Sequence, residues 1–267
     1  MKYICWNIAG IRAKLKKGYL DFLLDEDFDV VCLQETKGTK EQIEKVMSEQ
    51  LKNAYPYRYW VACNGEGGQR KGLNGVAIWS KIQPMYEYKM ALAANEGRTL
   101  ALDIGPYIIV CVYTPNSQYD GSDRNNMREQ EWDPAFREWI NNLNARKPTI
   151  VCGDFNVAPY EDDVWSHKSL RNVVSHTKVE RQKLLEILDK GNLIDSTRQL
   201  IFPPENLFTW WSYRSPDFKK NNRGRRLDHI WVTNHKGLKL KKAKIISETR
   251  ELKKPSDHVP VLVEIKV

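Results

Sequence analysis

The sequence predicts an α/β protein with enough strands for two sheets, and three observations support this. Short β-rich runs recur from one end of the chain to the other, helical patterns lie irregularly between them, and no Pro-, Gly- or Ser-rich linker divides the chain. Because helices do not follow each strand in turn, a barrel of alternating strands and helices is not favoured. We expect one domain over residues 1–267. The periodicity of the sequence does not give the order of its strands.

Two kinds of apolar pattern locate the elements. Apolar β-rich runs predict strands at Tyr3–Ile8, Asp29–Gln34, Gly75–Trp79, Tyr107–Tyr113, Thr149–Phe155, Leu227–Thr233 and Val259–Val267. Helical patterns predict helices at Tyr19–Asp25, Lys40–Leu51, about Asp123–Ala145 and Val179–Lys190. Gly191 follows the last of these in a position typical of a helix C-cap.

The composition is that of a globular protein with a basic surface. Of its 267 residues 41% are hydrophobic and 28% charged, and the formal net charge is +8. This balance suits a polyanionic partner, because lysines and arginines that neutralise phosphates release counterions. Many basic proteins have no such partner, so the charge by itself leaves nucleic acid undecided.

The sequence favours a cytoplasmic location. No stretch approaches the roughly 20 apolar residues of a membrane span, and Met1–Trp6 passes directly into a predicted strand without a signal-peptide pattern. The five cysteines are odd in number and lack CxxC spacing. Cys5, Cys32, Cys111 and Cys152 lie in apolar runs, which indicates buried reduced thiols and not a disulfide framework or a zinc site.

Polar side chains repeatedly end or interrupt the predicted strands. They are Asn7, Glu35, Tyr113, Asp154, Asn156, Asp228 and the pair Asp257-His258. A strand fixes the residue at its end, and ligand sites in sheet proteins often gather at such ends. If these ends meet, they form an acid-lined pocket that suits a hard cation such as Mg²⁺.

Two of these positions show the strength and the limit of this argument. Asp154 and Asn156 are two residues apart, so in an extended segment both face the same side. Asp and Asn are also common where strands merely end, so for any one position that explanation stays open. It is weak as an explanation of all the positions together.

Asp228 is the most informative single residue, because it lies in what looks like a half-buried strand. A buried carboxylate needs a hydrogen-bonding or cationic partner. His258 is one candidate, since a carboxylate would orient its imidazole and stabilise the imidazolium. Pairing with the neighbouring Arg225 or Arg226 is the alternative.

Short motifs follow one another in a set order along the chain. They are Trp6–Ala13, Leu33–Lys37, Tyr113–Asn116, Cys152–Pro159, Thr209–Arg214, Asn222–His229 and Lys254–Pro260. In this order they resemble the exonuclease III and abasic-endonuclease family, within the wider endonuclease/exonuclease/phosphatase superfamily. Asp163–Trp165 and Glu180-Arg181 are also similar to bacterial members. The ordered set spans essentially the whole chain, which makes it far more specific than any one motif.

The resemblance implies a four-layer α/β sandwich, in which two packed mixed β-sheets are flanked by helices and the site lies at one sheet edge. It also implies a Mg²⁺-dependent DNA-repair phosphodiesterase, with Mn²⁺ as an alternative metal. Such an enzyme incises DNA 5′ to abasic sites and trims 3′ ends in base excision repair, as a 3′→5′ exonuclease and 3′-phosphatase. The expected partner is double-stranded DNA, and the expected state is a monomer.

The resemblance further implies a role for each matching position. The implied metal ligands are Asn7, Glu35 (the main one), Asp154, Asn156, Asp257 and His258. The implied catalytic group is Tyr113, Asp154, Asn156, Asp228 and His258. Contacts with DNA are expected from Arg98, Asn116, Trp211, Arg214, Arg223 and Arg225. Which group moves each proton stays open.

Ala9 departs from the family pattern, which usually has Asn or Asp at this position. Alanine has no ligand atom, so metal affinity or stoichiometry is expected to differ. Because Glu35, Asp154 and Asp257 remain, we expect a change in metal binding and not a loss of activity.

The late segments bear on substrate choice. Thr209–Arg214 combines aromatics with an arginine, which suits a wall against an extruded sugar or a terminal nucleotide. One of its two tryptophans is expected to face the core. Lys219–Arg226 is a basic loop placed to contact a DNA backbone, whereas the basic run Lys239–Lys244 is interpreted as a solvated face.

Two other functions stay open at this level. A superfamily relative could act on a lipid or another phosphoester, against which the net charge of +8 and Thr209–Arg214 argue. A non-catalytic nucleic-acid-binding protein is supported by Ala9 alone. The favoured function requires Asn7, Glu35, Asp154, Asn156, Asp228 and His258 to meet around one phosphate.

Overall fold

The computed structural model describes residues 1–66, 70–119, 122–215 and 220–266. Twelve strands lie within these residues. They are β1 (Lys2–Asn7), β2 (Val30–Gln34), β3 (Tyr57–Val61), β4 (Val76–Ser80), β5 (Tyr86–Tyr88), β6 (Thr99–Asp103), β7 (Ile108–Tyr113), β8 (Thr149–Asp154), β9 (Leu193–Asp195), β10 (Asp228–Thr233), β11 (Lys239–Ile245) and β12 (Val261–Lys266). Val267, the predicted end of the last strand, lies outside the described residues.

The strands form two six-stranded mixed sheets. Sheet A has the order β11-β12-β1-β2-β4-β3, and sheet B has the order β5-β6-β7-β8-β10-β9. The central pairs β1–β2 and β7–β8 are parallel, and the other pairs are antiparallel. The predicted α/β sandwich with two packed mixed sheets is confirmed.

The layers explain why the central strands are apolar on both faces. Cys5, Cys32, Cys111 and Cys152 point into the core between the two sheets, whereas their neighbour Trp6 points outward against the helices that cover sheet A. Strands covered on both faces are expected to be continuous apolar runs. These four cysteines are buried and form no disulfide, as predicted.

Nine α-helices lie within the described residues, and several of them cover the outer faces of the two sheets. They are α1 (Ile11–Leu15), α2 (Phe22–Asp25), α3 (Lys40–Glu44), α4 (Glu49–Ala54), α5 (Asp123–Met127), α6 (Asp133–Asn144), α7 (His167–Leu170), α8 (Lys178–Lys190) and α9 (Ser196–Leu200). Helices α1 to α4 pack on sheet A, and α6 and α8 pack on sheet B. In the part of the chain that the structure describes, no helix has the length and apolarity needed to cross a bilayer.

The helices differ from the sequence prediction in three places. The segment Lys40–Leu51 contains two short helices, because Ser48 caps a new helix with its side chain. The segment Asp123–Ala145 is helical but includes a π-helical turn at Arg128–Trp132. Of Tyr19–Asp25, only the last turn is α-helical. The predicted α8 is confirmed, with Gly191 as its C-cap.

The strands β3, β5, β6, β9 and β11 were not predicted. Most are short or lie at a sheet edge, where a strand buries only part of its surface and shows a weaker apolar pattern. Lys239–Lys244 is the clearest case, since its lysines are exposed on the edge strand β11. Lysines on an edge strand hinder pairing with other chains, so the expectation of a solvated face agrees with this position.

A buried ion network fixes the segment before β10. Arg226 is fully buried and its guanidinium lies 2.7 Å from Asp163 and 2.7 Å from Asp195. Asp163 is also fully buried and accepts a hydrogen bond from Arg198. Removing one partner from such a network leaves an uncompensated buried charge.

Asp163→Ala should therefore lower the free energy of unfolding by about 3–5 kcal/mol, as is usual when a buried ion pair is broken. Its neighbour Asp162 pairs with Arg198 at the surface, so Asp162→Asn should cost less than about 1 kcal/mol. Urea unfolding of the two variants at neutral pH measures both values. Equal losses in the two variants would contradict the importance of the buried network.

Candidate active site

The predicted polar residues meet at one edge of the sandwich because of strand direction. The parallel strands β1 and β2 end together, at Asn7 and just before Glu35. The parallel strands β7 and β8 likewise end side by side at Tyr113 and Asp154. Strand β10 runs antiparallel to β8, so its first residue Asp228 lies opposite Asp154.

Of these residues, Glu35, Tyr113 and Asp154 line a cleft of about 580 Å³, whereas Asn7 and Asp228 are buried and do not line it. Its lining includes Glu35, Tyr113, Asn116, Asp154, Asn156, Trp210, Arg214, Arg225, Asp257 and His258. Carboxylates and amides lie at its base, and Trp210 and two arginines lie along its walls. The convergence required by the sequence argument is therefore present.

Asn7 connects the carboxylates of the two sheets. Its amide nitrogen donates to Glu35 at 3.1 Å and to Asp154 at 2.9 Å. Its amide oxygen accepts a hydrogen bond from the backbone of Ala9. Asn7 is fully buried, so these bonds fix the separation of the two acids.

Glu35 lies in a left-handed backbone conformation, with φ 51°. Such a conformation is rare outside glycine and is often found at functional sites. Burial alone would raise the pKa of Glu35, but Lys37, 2.5 Å away, the Asn7 hydrogen bond and His258 together bring the pKa below its ordinary value. Glu35 is therefore an anion at neutral pH.

Asp154 is buried and differs from Glu35 in its titration. Burial raises the pKa of Asp154 to about 7, and Asp228 adds to this rise, whereas His258 and the Asn7 hydrogen bond oppose it. The backbone of Asn156 donates to Asp154 at 2.8 Å. A carboxyl group whose pKa lies near neutrality is suited to accept a proton during a reaction.

Asn156 also has a left-handed conformation, with φ 54°, which Asn tolerates better than most residues. Its amide nitrogen donates to the backbone oxygen of Thr114 at 2.8 Å, and its amide oxygen accepts from Asn116 at 3.1 Å. Gly153 precedes this turn, and a Cβ there would collide with the Val112 backbone of β7.

His258 and Asp228 form a buried pair. Nδ1 of His258 lies 2.7 Å from Asp228, and Nε2 lies 3.7 Å from Asp154. Burial would lower the pKa of His258, but Asp228 and Asp154 raise it to about 10. The imidazole is therefore a cation at neutral pH. Arg226 is bonded elsewhere, so the His258 partner predicted for Asp228 is the one the structure contains.

Asp257 and Tyr113 also line the cleft. Asp257 accepts a hydrogen bond from the Trp210 indole at 3.1 Å. Burial raises the pKa of Tyr113 well above its ordinary value, and the carboxylates of Glu35 and Asp154 add to the effect. Tyr113 is thus a neutral phenol. Arg98 is buried and lies over its ring, 5.1 Å from the centroid.

Two sets of residues have the chemistry of a metal site. Ligand atoms of Asp154, Asp228 and His258 lie within 4.8 Å of one another. However, Asp228 and His258 bind each other, which occupies two of these three ligands. The oxygens of Glu35, Asp154 and Asp257 line the cleft and are the donors that a hard divalent cation prefers.

The residues expected to contact DNA lie in different places. Arg214 is exposed at the cleft, and Arg225 lines it while donating to the backbone oxygen of Val174 at 2.6 Å. Arg223 is exposed outside the lining and stacks on Trp165, 4.9 Å from its ring centroid. Of the predicted basic loop, Lys219 lies outside the described residues.

The DNA contact expected of Trp211 does not fit its position. Trp211 is 3% exposed, packs with Phe208 and Val259, and is covered by Arg250. Trp210 lines the cleft instead. Which of two adjacent tryptophans faces the core depends on contacts with distant residues, so their sequence could not decide it.

Some residues that build the site were not predicted. The hydroxyl of Thr209 accepts hydrogen bonds from the backbones of Leu227 and Asp228, both at 3.0 Å. Ser256 donates to the backbone oxygen of Asn7 at 2.7 Å and accepts from His258 at 3.2 Å. Thr209 and Ser256 both lie within sequence motifs that carry the family resemblance, Thr209–Arg214 and Lys254–Pro260. Their place in these motifs is the sequence signal that could have identified them.

Comparison with curated proteins gives full-length relatives. The chain is 34% identical over 271 residues to an exodeoxyribonuclease of Bacillus subtilis (strain 168), with all of both chains covered. It is 34% identical to a DNA-(apurinic or apyrimidinic site) endonuclease of Dictyostelium discoideum, covering 99% of this chain and 70% of that protein.

Solved structures agree with the fold. A variant of the 3′ phosphatase NExo from Neisseria, bound to a product DNA hairpin, has a TM-score of 0.85 at 28% identity, with all of both chains covered. An AP endonuclease from Archaeoglobus fulgidus has a TM-score of 0.86 at 24% identity over the same full coverage. The model of the Endonuclease/Exonuclease/phosphatase family matches residues 4–258. This chain therefore belongs to the Endonuclease/Exonuclease/phosphatase family.

Proposed function

We propose that this protein is a metal-dependent DNA-repair phosphodiesterase that incises DNA 5′ to abasic sites and trims blocked or unblocked 3′ ends. The observation that carries the proposal is the single cleft in which Glu35, Asp154, Asn156 and His258 surround a space of about 580 Å³. The names of the relatives, an exodeoxyribonuclease and an abasic-site endonuclease, support this reaction and substrate.

The metal is Mg²⁺, with Mn²⁺ as an alternative. Glu35 is its main ligand, with oxygens of Asn7, Asp154, Asn156 and Asp257 nearby. The ligand role implied for His258 does not fit its protonated, Asp228-bonded imidazole. The fit rests on the oxygen donors that line the cleft. When bound, the ion supplies positive charge that stabilises the phosphoryl oxygens and the leaving oxygen.

Hydrolysis needs a water molecule that is deprotonated as it attacks phosphorus. Asp154 accepts that proton, since its pKa of about 7 matches the working pH. Asn156 orients the water or the phosphate through its amide. The bond between phosphorus and the 3′ oxygen breaks, and the leaving oxygen takes up a proton from solvent. The products are a 3′-hydroxyl and a 5′-phosphorylated fragment.

His258 and Tyr113 stabilise the negative charge that develops on the phosphate. The His258 imidazolium, paired with Asp228, adds positive charge at the non-bridging oxygens. Tyr113 donates a hydrogen bond from its neutral phenol, because its raised pKa disfavours the phenolate. Asp228 acts by orienting His258.

The walls of the cleft favour DNA as the substrate. Trp210 offers an aromatic face to an extruded sugar or terminal nucleotide, and Arg225 lies 5.4 Å from the centroid of its ring. Asn116, Arg214 and Arg223 contact the backbone, whereas the buried Arg98 packs over the ring of Tyr113. The protein acts as a monomer in the cytoplasm, on double-stranded DNA and not at a membrane.

Asp154→Asn and Glu35→Gln should each lower the rate of cleavage roughly 100- to 10,000-fold, the usual contribution of a catalytic acid or base. The measurement uses labelled abasic and blunt duplexes with Mg²⁺, with and without EDTA. Circular dichroism checks that both variants fold.

Asp162→Asn, a surface substitution of the same chemical type, should leave cleavage unchanged. Full activity of either site variant would overturn the role assignment. Release of a phospholipid headgroup in place of DNA cleavage would identify the protein as a lipid-directed relative.

Asp228→Asn should shift the pH dependence of cleavage. The reaction needs protonated His258, whose pKa of about 10 depends on the Asp228 carboxylate. Without that carboxylate the pKa falls, so activity should be lost at a lower pH on the alkaline side than in the wild type. A pH–rate profile measures the shift, and an unmoved alkaline limb would exclude this role for Asp228.

Ala9→Asp should lower the Mg²⁺ concentration needed for half-maximal cleavage, by roughly tenfold if the new carboxylate acts like a typical outer ligand. Ala9 has φ 47°, which Asp tolerates, and it lines a cleft together with Lys37. A carboxylate there adds an oxygen and gives Lys37 a partner other than Glu35.

Ala13→Asp, which adds the same charge to that cleft, serves as the control. Manganese binding measured by electron paramagnetic resonance gives a second readout. Equal metal dependence of Ala9→Asp and the wild type would refute the effect of Ala9.

A further inference from the structure

Lys14 is a buried cation close to the proposed active site. It lies in α1, 7% exposed, and its ammonium donates to the backbone oxygens of Lys254 at 2.7 Å and Pro255 at 2.9 Å. Burial lowers its pKa. A buried ammonium costs free energy that its hydrogen bonds must offset, so these two bonds define what Lys14 does in the fold.

The segment that Lys14 contacts leads directly into Asp257 and His258, two of the proposed active-site residues. Residues 252–257 form neither helix nor strand. Backbone hydrogen bonds hold the end of this segment, since Asp257 accepts from Trp211 at 3.0 Å and Val259 donates to Thr209 at 2.8 Å. Side chains hold the residues just before them. Ser256 bonds to the backbone of Asn7, and the Tyr213 hydroxyl donates to the Pro255 backbone oxygen at 2.6 Å.

We propose that Lys14 is a positioning residue for Asp257 and His258, an inference that rests on the proposed function. Its ammonium joins two consecutive backbone oxygens to α1, which directly follows the strand that ends at Asn7. Lys14 therefore links the backbone just before Asp257 and His258 to the helix that follows Asn7. Small displacements of a catalytic group cost large factors in rate.

Direct contact of Lys14 with DNA does not explain its position. Lys16 and Lys17, two and three residues later, are exposed and available to solvent, whereas Lys14 is buried. Its ammonium bonds to two backbone oxygens inside the protein. Its effect on the reaction must therefore pass through the segment it holds.

Lys14→Met tests the proposal, because methionine keeps the length and packing of the side chain but donates no hydrogen bond. Its kcat should fall roughly 10- to 100-fold, while KM for an abasic duplex changes by less than about twofold. The melting temperature should fall little or rise, since a buried charge is removed. Lys14→Arg, which keeps the donors, should recover part of the kcat.

Hydrogen exchange gives a readout that does not depend on activity. The His258 amide, bonded to Ser256, should exchange about tenfold faster in Lys14→Met. Lys17→Met, which removes an exposed charge just after the same helix, should change neither exchange nor kcat.

Wild-type exchange at His258 in Lys14→Met would overturn the proposal, whether or not the protein cuts DNA. So would a joint loss of kcat and melting temperature that Lys14→Arg does not recover, because it would indicate a merely structural role. A wild-type protein that exchanges as expected but cuts no DNA would instead refute the proposed function.

Discussion

The hydrogen bonds that Asn7 donates to Glu35 and Asp154 are the constraint on which the site depends. Glu35 follows a strand of sheet A, and Asp154 ends a strand of sheet B. One amide therefore fixes the separation of two acids on different sheets. Because both sheets are packed through a continuous apolar core, this separation is set by the whole sandwich and not by a flexible loop.

Charge balance follows from this arrangement. The carboxylates of Glu35, Asp154 and Asp228 are brought together with little solvent, and His258 and Lys37 are the cations beside them. Burial and repulsion from Asp228 raise the pKa of Asp154, whereas attraction to Asp228 and Asp154 raises the pKa of His258 against the effect of its burial. A bound divalent cation would further stabilise the anionic forms, so metal affinity and proton affinity are linked here.

The sequence predicted most of the strands that are buried on both faces, with β6 as the exception, and none of the edge strands β3, β5, β9 and β11. Continuous apolar runs such as that of β8 are unambiguous, whereas the lysine-rich edge strand β11 shows no such pattern. The convergence of the polar residues was predictable, because side chains at the ends of neighbouring strands share an edge. The orientation of Trp210 and the contacts of Lys14 were not, since both depend on partners distant in sequence.

Residues at strand ends and residues in connecting segments contribute differently to substrate choice. In the proposed mechanism, the groups that act on the phosphate lie at or next to strand ends, whose positions the two sheets determine. The walls of the cleft are built differently from its base, because they belong to segments that connect the strands and helices. These segments include the residues around Arg214, and Val174 and Ser175. Such segments can change without disturbing the acids. Under the proposed function, the balance between incision at abasic sites and trimming of 3′ ends is therefore a property of these walls, while the bond that is cleaved is determined by the sandwich.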